Sequence, residues 1–411
     1  MAISLPLRMF LALLVGLGSG IAMAGIEGSA TQAILAVARP IGGLWLNALT
    51  MTIVPLVFGL IVNGIAAAAQ EASASRTALR SILWFAILLT TACTLSAVAT
   101  TGLLHLWPAT APAEAFRNAA VPAVAAQAAG PWYDAIVPAN PIKAAAETAM
   151  VPLVVFALLF GFALTRIAAN LRAVIVMFIE AIVQTMLVLV TWVLWLAPLG
   201  IAALAFAAGI TMGAAAAGAL GQYIVIASAA CLLATLMAYA AATLAGRISP
   251  MRFARAAIPA QAVALGTQSS LATLPVMIEA TPALGVQAKA AGVVLPLAVS
   301  LFRAASAAAN IAVALYLADL NGISLSLPML VLGVLVAVPV SLAAVGVAAQ
   351  VSFIATIAPI CVALGVPIEA LPLLMAVETV PDLFRTLGNV TADLAVARIV
   401  AADDQSSPAV A

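Results

Sequence analysis

The chain has 411 residues, 66% of them hydrophobic and 7% charged, with a mean hydropathy of +1.25 and a formal net charge of +1. That composition excludes a soluble globular domain and a disordered protein, and the near-neutral charge points to no nucleic acid or acidic partner. What remains is an all-α polytopic membrane protein in contact with the lipid bilayer, because backbone at membrane depth must satisfy its own hydrogen bonds and helices do so.

In chain order, eight apolar segments run through 7–25, 41–69, 77–107, 119–168, 171–211, 213–246, 286–317 and 368–402. They read as eight transmembrane segments. Arg8 ahead of the first resembles the start of a signal peptide, but GLGSGIAMAG is a poor cleavage site and more spans follow, so this is the first span. The third closes on His105, the single histidine, beside Trp107 and Pro108. Interfacial residues collect in such places, so His105 reads as a membrane-edge residue, with a proton relay as the alternative. The fourth segment is too long for one simple crossing, and Pro138, Asn140 and Pro141 predict a break. Cys93, Cys231 and Cys361 lie in separate apolar stretches with no metal or disulfide spacing, and read as small buried hydrophobes. The polar residues 403–411 are expected to form a disordered tail.

Two further segments are interrupted. Residues 250–283 hold two apolar arms around Thr267-Gln268-Ser269-Ser270, and residues 325–366 hold two around Ala348-Ala349-Gln350-Val351-Ser352. Each arm is too short to span. Such segments mark a transporter's binding site when they form re-entrant hairpins; the other reading is a kinked full crossing.

The final segment carries Asp382, Arg385, Asn389 and Asp393, at offsets of 3, 7 and 11 from the first. These offsets put all four on one helical stripe, which Glu378 and Thr386 extend. A charge at bilayer depth costs roughly 2.5–3.5 kcal/mol on insertion scales, so the stripe is expected to face a wet, protein-lined cavity that binds something charged. Arg385 offers a planar fork suited to a carboxylate, and Asp382 suits an ammonium. The pair also reads as a structural ion pair that parts when substrate enters.

Basic residues orient the chain. Arg8, Arg76, Arg80, Arg166, Arg172, Arg247, Arg252, Arg255, Lys289 and Arg398 fall on one side of this topology, and Arg39, Arg117 and Lys143 on the other. The basic side is cytoplasmic, which places both termini inside and the protein in the cytoplasmic (inner) membrane.

At this point the chain resembles the dicarboxylate/amino acid:cation symporters, the glutamate transporter homologues, over nearly its whole length. MTIVPLVFGLIVNGIAA (51–67) is similar to the family's second span, DAIVPANPIKAAAE (134–147) to its I-V-P-x-N-P segment, and LAPLGIAALAF (196–206) to its A-P-I-G-x-F-A-L region. TQSSLATLP (267–275) resembles the serine-rich first hairpin tip, and PDLFRTLGNVTADLA (381–395) the final-span signature D-x-x-R-T-x-x-N-V-x-G-D. The resemblance implies eight transmembrane segments plus two re-entrant helical hairpins in a homotrimer with an elevator mechanism. Scaffold would comprise 1–76 (spans 1 and 2) and 108–211 (spans 4 and 5). The transport domain would comprise 77–107 (span 3) and 212–402 (span 6, hairpin 1, span 7, hairpin 2, span 8).

The resemblance also implies a substrate site of Ser269, Ser270, Ser306, Asp382, Arg385, Thr386 and Asn389, with Arg385 on an acidic side chain and Asp382 on the ammonium. No cofactor is implied beyond a coupling cation, sodium or proton. The chain departs from the family's N-M-D-G-T motif of the seventh span, where Phe302, Arg303, Ala304, Ala305 and Ser306 stand, and from its glycine-rich second tip. The expected consequence is loss or alteration of at least one sodium site. Thr90, Thr91, Asn389 and Asp393 remain as ion-site candidates. Arg303 is expected to pair with Asp393 or with the substrate as a tethered cation; the alternative is that it snorkels to the interface. Glu378 is the candidate proton carrier.

The expected function is symporter-like secondary transport of aspartate or glutamate. The alternatives are a C4-dicarboxylate carrier of the same family and a transport-dead sensor or scaffold retaining the fold. No HExxH motif, serine–histidine arrangement or metal cluster supports an enzyme.

Overall fold

A computed structural model describes residues 4–26, 29–108, 137–343 and 349–406. Arg117, the centre of the second interrupted segment and residues 407–411 lie outside that set. Among the described residues every regular element is a helix.

The chain opens with α1 (Leu5–Met23), then α2 (Ser29–Thr50) and α3 (Ile53–Ala74). The last two replace the single span expected over 41–69 and part at Met51 and Thr52. Next comes α4 (Arg76–Leu106), whose N-terminus is capped by the Ser75 hydroxyl accepting from the Ala78 amide. The break expected near Pro141 is present: Asn140 Oδ1 accepts from the amides of Ile142 and Lys143 at 2.9 and 3.1 Å and starts α5 (Pro141–Ala146), ahead of α6 (Met150–Leu164). The 171–211 segment divides at Leu196 into α7 (Ala169–Trp195) and α8 (Ala197–Met212), and α9 (Ala215–Leu244) follows.

Small residues let these helices approach closely. A Cβ added to Gly16 of α1 would lie 2.3 Å from the Ala202 carbonyl oxygen of α8, and one on Gly20 would lie 2.4 Å from that of Phe206. This is the packing that serves where no hydrophobic force drives helices together. α2 also leans on α8, where the Trp45 indole donates to the Val193 carbonyl at 2.9 Å, and α3 packs on α6 and α7.

The two interrupted segments are helical hairpins, not kinked crossings. In the first, α10 (Pro250–Thr267) turns through Gln268, at φ +50°, and Ser269 into α11 (Ser270–Ala280). The arms return to the same level, since Arg252 Nε donates to the Ala283 carbonyl at 3.0 Å. In the second, α14 (Leu327–Ala343) and α15 (Ala349–Ala363) pack together, bringing Gly333 against Leu364. Between the hairpins lie α12 (Ala288–Leu301) and α13 (Ala304–Leu320), halves of one span broken at Phe302 and Arg303. The chain ends with α16 (Leu371–Ala376) and α17 (Thr379–Ser406).

Among the described residues, six helical stretches are long and apolar enough to cross a membrane by length and composition. The fourth and eighth expected spans are not among them: α6 has only 15 residues, and α17 carries the charged stripe. α17 also continues to Ser406, into the stretch expected to be a disordered tail. Its end is tied to α4 by the Trp84 indole, which donates to Asp403 Oδ2 at 3.2 Å. Around α17 pack α4, α9, α10, α12 and α13, and this group holds the deepest part of the core.

Candidate functional site

The stripe faces protein. Arg385, Asn389 and Asp393 are 7%, 2% and 1% exposed, and Asp382 is partly buried. Glu378 sits not on α17 but in the turn before it, and its carbonyl accepts from the Asp382 amide at 2.9 Å, opening the helix.

Arg385 is the hub. Its Nη1 donates to Asn310 Oδ1 at 2.9 Å and points to the Ser306 carbonyl at 3.5 Å, its Nη2 forms a close ion pair with Glu378 Oε1, and its Nε lies 3.9 Å from Asp382 Oδ1. On the far side of Glu378 the buried Tyr223 hydroxyl of α9 donates to Oε2. Removing any one partner would leave a buried charge or polar group uncompensated, so the network orients the guanidinium rigidly.

The break between α12 and α13 frees backbone amides, as broken spans at binding sites do. Asn389 takes them: its Oδ1 accepts from the amides of Ala305 and Ser306 at 3.0 and 3.2 Å, while its Nδ2 donates to Ser306 Oγ at 2.9 Å. Asn389 is thus engaged in holding the broken span. Phe302 is buried at the break, its ring stacked on Phe85 with centroids 4.8 Å apart. The next residue, Arg303, is partly buried and lines a cleft with Ser306, Asn310, Glu378, Asp382 and Arg385. It lies within electrostatic reach of Arg385, Asp382 and Asp393.

The second hairpin closes this cleft with Ser341 of α14 and with Ser352, Phe353 and Thr356 of α15. The cleft is narrow, with about 20 Å³ of room for a water-sized sphere, and is partly open to solvent. Ser341 Oγ is buried and has no hydrogen-bond partner among the described residues. Below the cleft, both oxygens of Asp393 are in the same condition. Buried polar groups of this kind call for a ligand, an ion or a nearby countercharge.

The other expected residues lie elsewhere. Ser269 caps α11 by accepting from the Ala272 amide at 3.2 Å; neither it nor Ser270 lines the cleft. The first tip still reaches the region, because Gln268 Nε2 donates to the Thr379 carbonyl at 3.3 Å. Thr386 is buried on α17 outside the cleft lining. Thr90 and Thr91 are exposed on α4, with hydroxyls donating to the carbonyls of Ala86 and Ile87 on their own helix at 2.8 Å each. The structure does not bring them to the cleft. Sequence reasoning missed Tyr223, Asn310, Ser341 and Thr356, single polar residues inside apolar helices. Intramembrane polarity was the available signal for each.

The family profile described as Sodium:dicarboxylate symporter family matches residues 5–403. The chain is 26% identical over 412 aligned residues to C4-dicarboxylate transport protein 3 of Ralstonia nicotianae, covering 97% of this chain and 90% of that one. It is 25% identical to the proton/glutamate-aspartate symporter of Escherichia coli (strain K12), covering 88% and 84%. With a helical membrane fold, hairpins flanking a broken span and a buried guanidinium at their meeting point, the chain belongs to the sodium:dicarboxylate symporter family.

Proposed function

We propose that the protein is a secondary active transporter of acidic amino acids, aspartate or glutamate, in the cytoplasmic membrane. The observation that carries this reading is the opposition of charges in one cleft: two guanidiniums, Arg303 and Arg385, stand beside Asp382, whose carboxylate makes only a loose 3.9 Å contact with Arg385. Two carboxylates and one ammonium on a single small molecule complement that set. Ser341 supplies a hydroxyl without a hydrogen-bond partner among the described residues, and closure of the second hairpin would seal the site.

A C4-dicarboxylate is the second reading. The two guanidiniums favour it and Asp382 opposes it, since a dicarboxylate has no ammonium for that carboxylate to meet. Arg303, beside Asp393 at the broken span, occupies the place of a mobile cation, which favours coupling to protons or to exchange over sodium. The grouping of α1–α3 with α6–α8, and of α4 with α9–α17, supports a scaffold and a moving transport domain, assembled as a homotrimer with both termini in the cytoplasm.

The test is uptake into proteoliposomes. Labelled L-aspartate should accumulate under an imposed proton gradient and be competed by L-glutamate more strongly than by succinate. Stronger competition by succinate would favour the dicarboxylate reading, and binding without counterflow would identify a transport-dead scaffold.

A further inference from the structure

We propose that Arg252 and Arg398, at the basic end of the molecule, bind the phosphate of an anionic phospholipid headgroup in the inner leaflet. The proposal goes beyond the transport reading and holds whichever acid is carried; it takes from that reading only that the basic end is cytoplasmic.

Arg398 lies toward the C-terminal end of α17. Its stem passes the chain just after α9, where a Cβ on Gly246 would lie 3.0 Å from Arg398 Cγ. Its head reaches the loop between α11 and α12, where a Cβ on Gly285, at φ +70°, would lie 3.5 Å from Arg398 Nη1. Arg252, in the first turn of α10, comes to the same loop and donates from Nε to the Ala283 carbonyl at 3.0 Å. Two helices thus carry two guanidiniums to one short loop, within electrostatic reach of each other.

Among the described residues no carboxylate lies within ion-pair distance of either arginine to offset that repulsion. Arg398 Nε is buried and has no acceptor among the described residues. A buried donor left in that condition is costly, and a second positive charge nearby adds to the cost. Cations also stand in the first turns of α10 and α12, Arg252 and Lys289, where the helix dipole disfavours them and no acid is present. Solvated surface arginines would explain the exposed Arg247, Arg255 and Lys289, but not the buried Nε of Arg398. An anion at the loop answers all three observations.

Two guanidinium forks suit the oxygens of a phosphate. The neighbouring surface points to a lipid as its source. Met251, Ile258 and Leu265 of α10 are exposed at intervals of seven and form one stripe with Arg255, and Leu244 is exposed at the end of α9. Acyl chains would cover that stripe while the headgroup meets the arginines at its end, as basic pockets between membrane helices hold anionic lipids.

The experiment titrates the purified full-length protein, delipidated in neutral detergent, with phosphatidylglycerol, phosphatidylcholine or inorganic phosphate. Native mass spectrometry reads bound lipid, and the thermal midpoint reads stability. The parent should prefer phosphatidylglycerol to phosphatidylcholine and be stabilised by it. Arg398→Gln should weaken that binding about fivefold, and Arg252→Gln with Arg398→Gln about twenty-five-fold, the contribution of one arginine each at an anionic lipid. Arg172→Gln, on the scaffold, should leave it unchanged. In lipid-free detergent Arg398→Gln should melt above the parent, because the unbalanced charge is gone. Melting below the parent, equally with and without lipid, would mark a merely structural arginine and overturn the proposal. Parent-like lipid preference in the double variant overturns it as well. Inorganic phosphate stabilising the parent as much as phosphatidylglycerol does would overturn the lipid assignment.

Discussion

Asp382 and Arg385 divide the recognition of a zwitterionic acid between them. Arg385→Ala should weaken L-aspartate binding on the order of 100-fold or more, because it removes the fork and leaves Glu378 and Asp382 without their buried countercharge; calorimetry in detergent would measure it. Asp382→Asn separates the candidate substrates. Aspartate should lose on the order of 100-fold, about 2.7 kcal/mol, while succinate gains or holds, and equal losses for both would argue for a dicarboxylate carrier. Arg303→Ala tests the tethered cation: Asp393, buried and without a hydrogen-bond partner among the described residues, would then need a mobile one, so uptake should fall unless sodium is supplied. Sodium-dependent uptake in the parent would defeat that role. Residue types and spacing made Asp382, Arg385 and Glu378 legible, since charges in an apolar run have few explanations. Asn389 was legible as part of the stripe, but not in its partner. An amide reads the same in sequence whether it donates to a ligand or caps a broken helix.

At the level of elements, the broken span is the part on which the site is built. Its two freed amides converge on one side-chain oxygen of Asn389. Asn389→Ala should destabilise the folded protein by about 1–3 kcal/mol per amide left unsatisfied, read as a lower thermal midpoint in detergent, and Asn389→Asp should recover part of the loss by restoring the acceptor. Both hairpins were legible as interrupted apolar segments, though hydropathy left a kinked crossing equally open. Arms that meet at their open ends, Arg252 on Ala283 and Gly333 on Leu364, decide the matter. The breaks at Thr52, Leu196 and Phe302 were not visible in hydropathy. Each falls inside a continuous apolar run, where hydrophobicity does not change as the chain bends.

Across the whole molecule, the second hairpin packs on α3, so the cleft is roofed by elements on one side and braced by them on the other. Leu49, Thr52, Ile53 and Leu56 share a small cavity with Ile354 and Ala355 of α15. If α15 travels past α3 during transport, then Ile53→Cys with Ala355→Cys, bridged by mercuric ion, should stop aspartate uptake while preserving binding, and thiol should restore it. The three native cysteines are buried, which keeps background reaction low. Uninterrupted uptake after bridging would show that these surfaces need not slide.

Composition and unbroken apolar runs determined that this is a helical membrane protein, because a chain with 66% hydrophobic residues in runs of span length meets its backbone's hydrogen-bonding demands in lipid as helices, whereas a closed barrel alternates apolar and polar residues. Local pattern determined where the charges lie along the last helix and which segments are interrupted. Only the tertiary structure decided which groups meet: Tyr223 on Glu378, Asn310 on Arg385, Asn389 on the amides of span seven, and Thr90 and Thr91 turned back on their own helix. The first three of those pairings join residues 75 to 155 positions apart in the chain. Helical periodicity governs neighbours within a turn or two, so contacts over such distances are set by packing between helices.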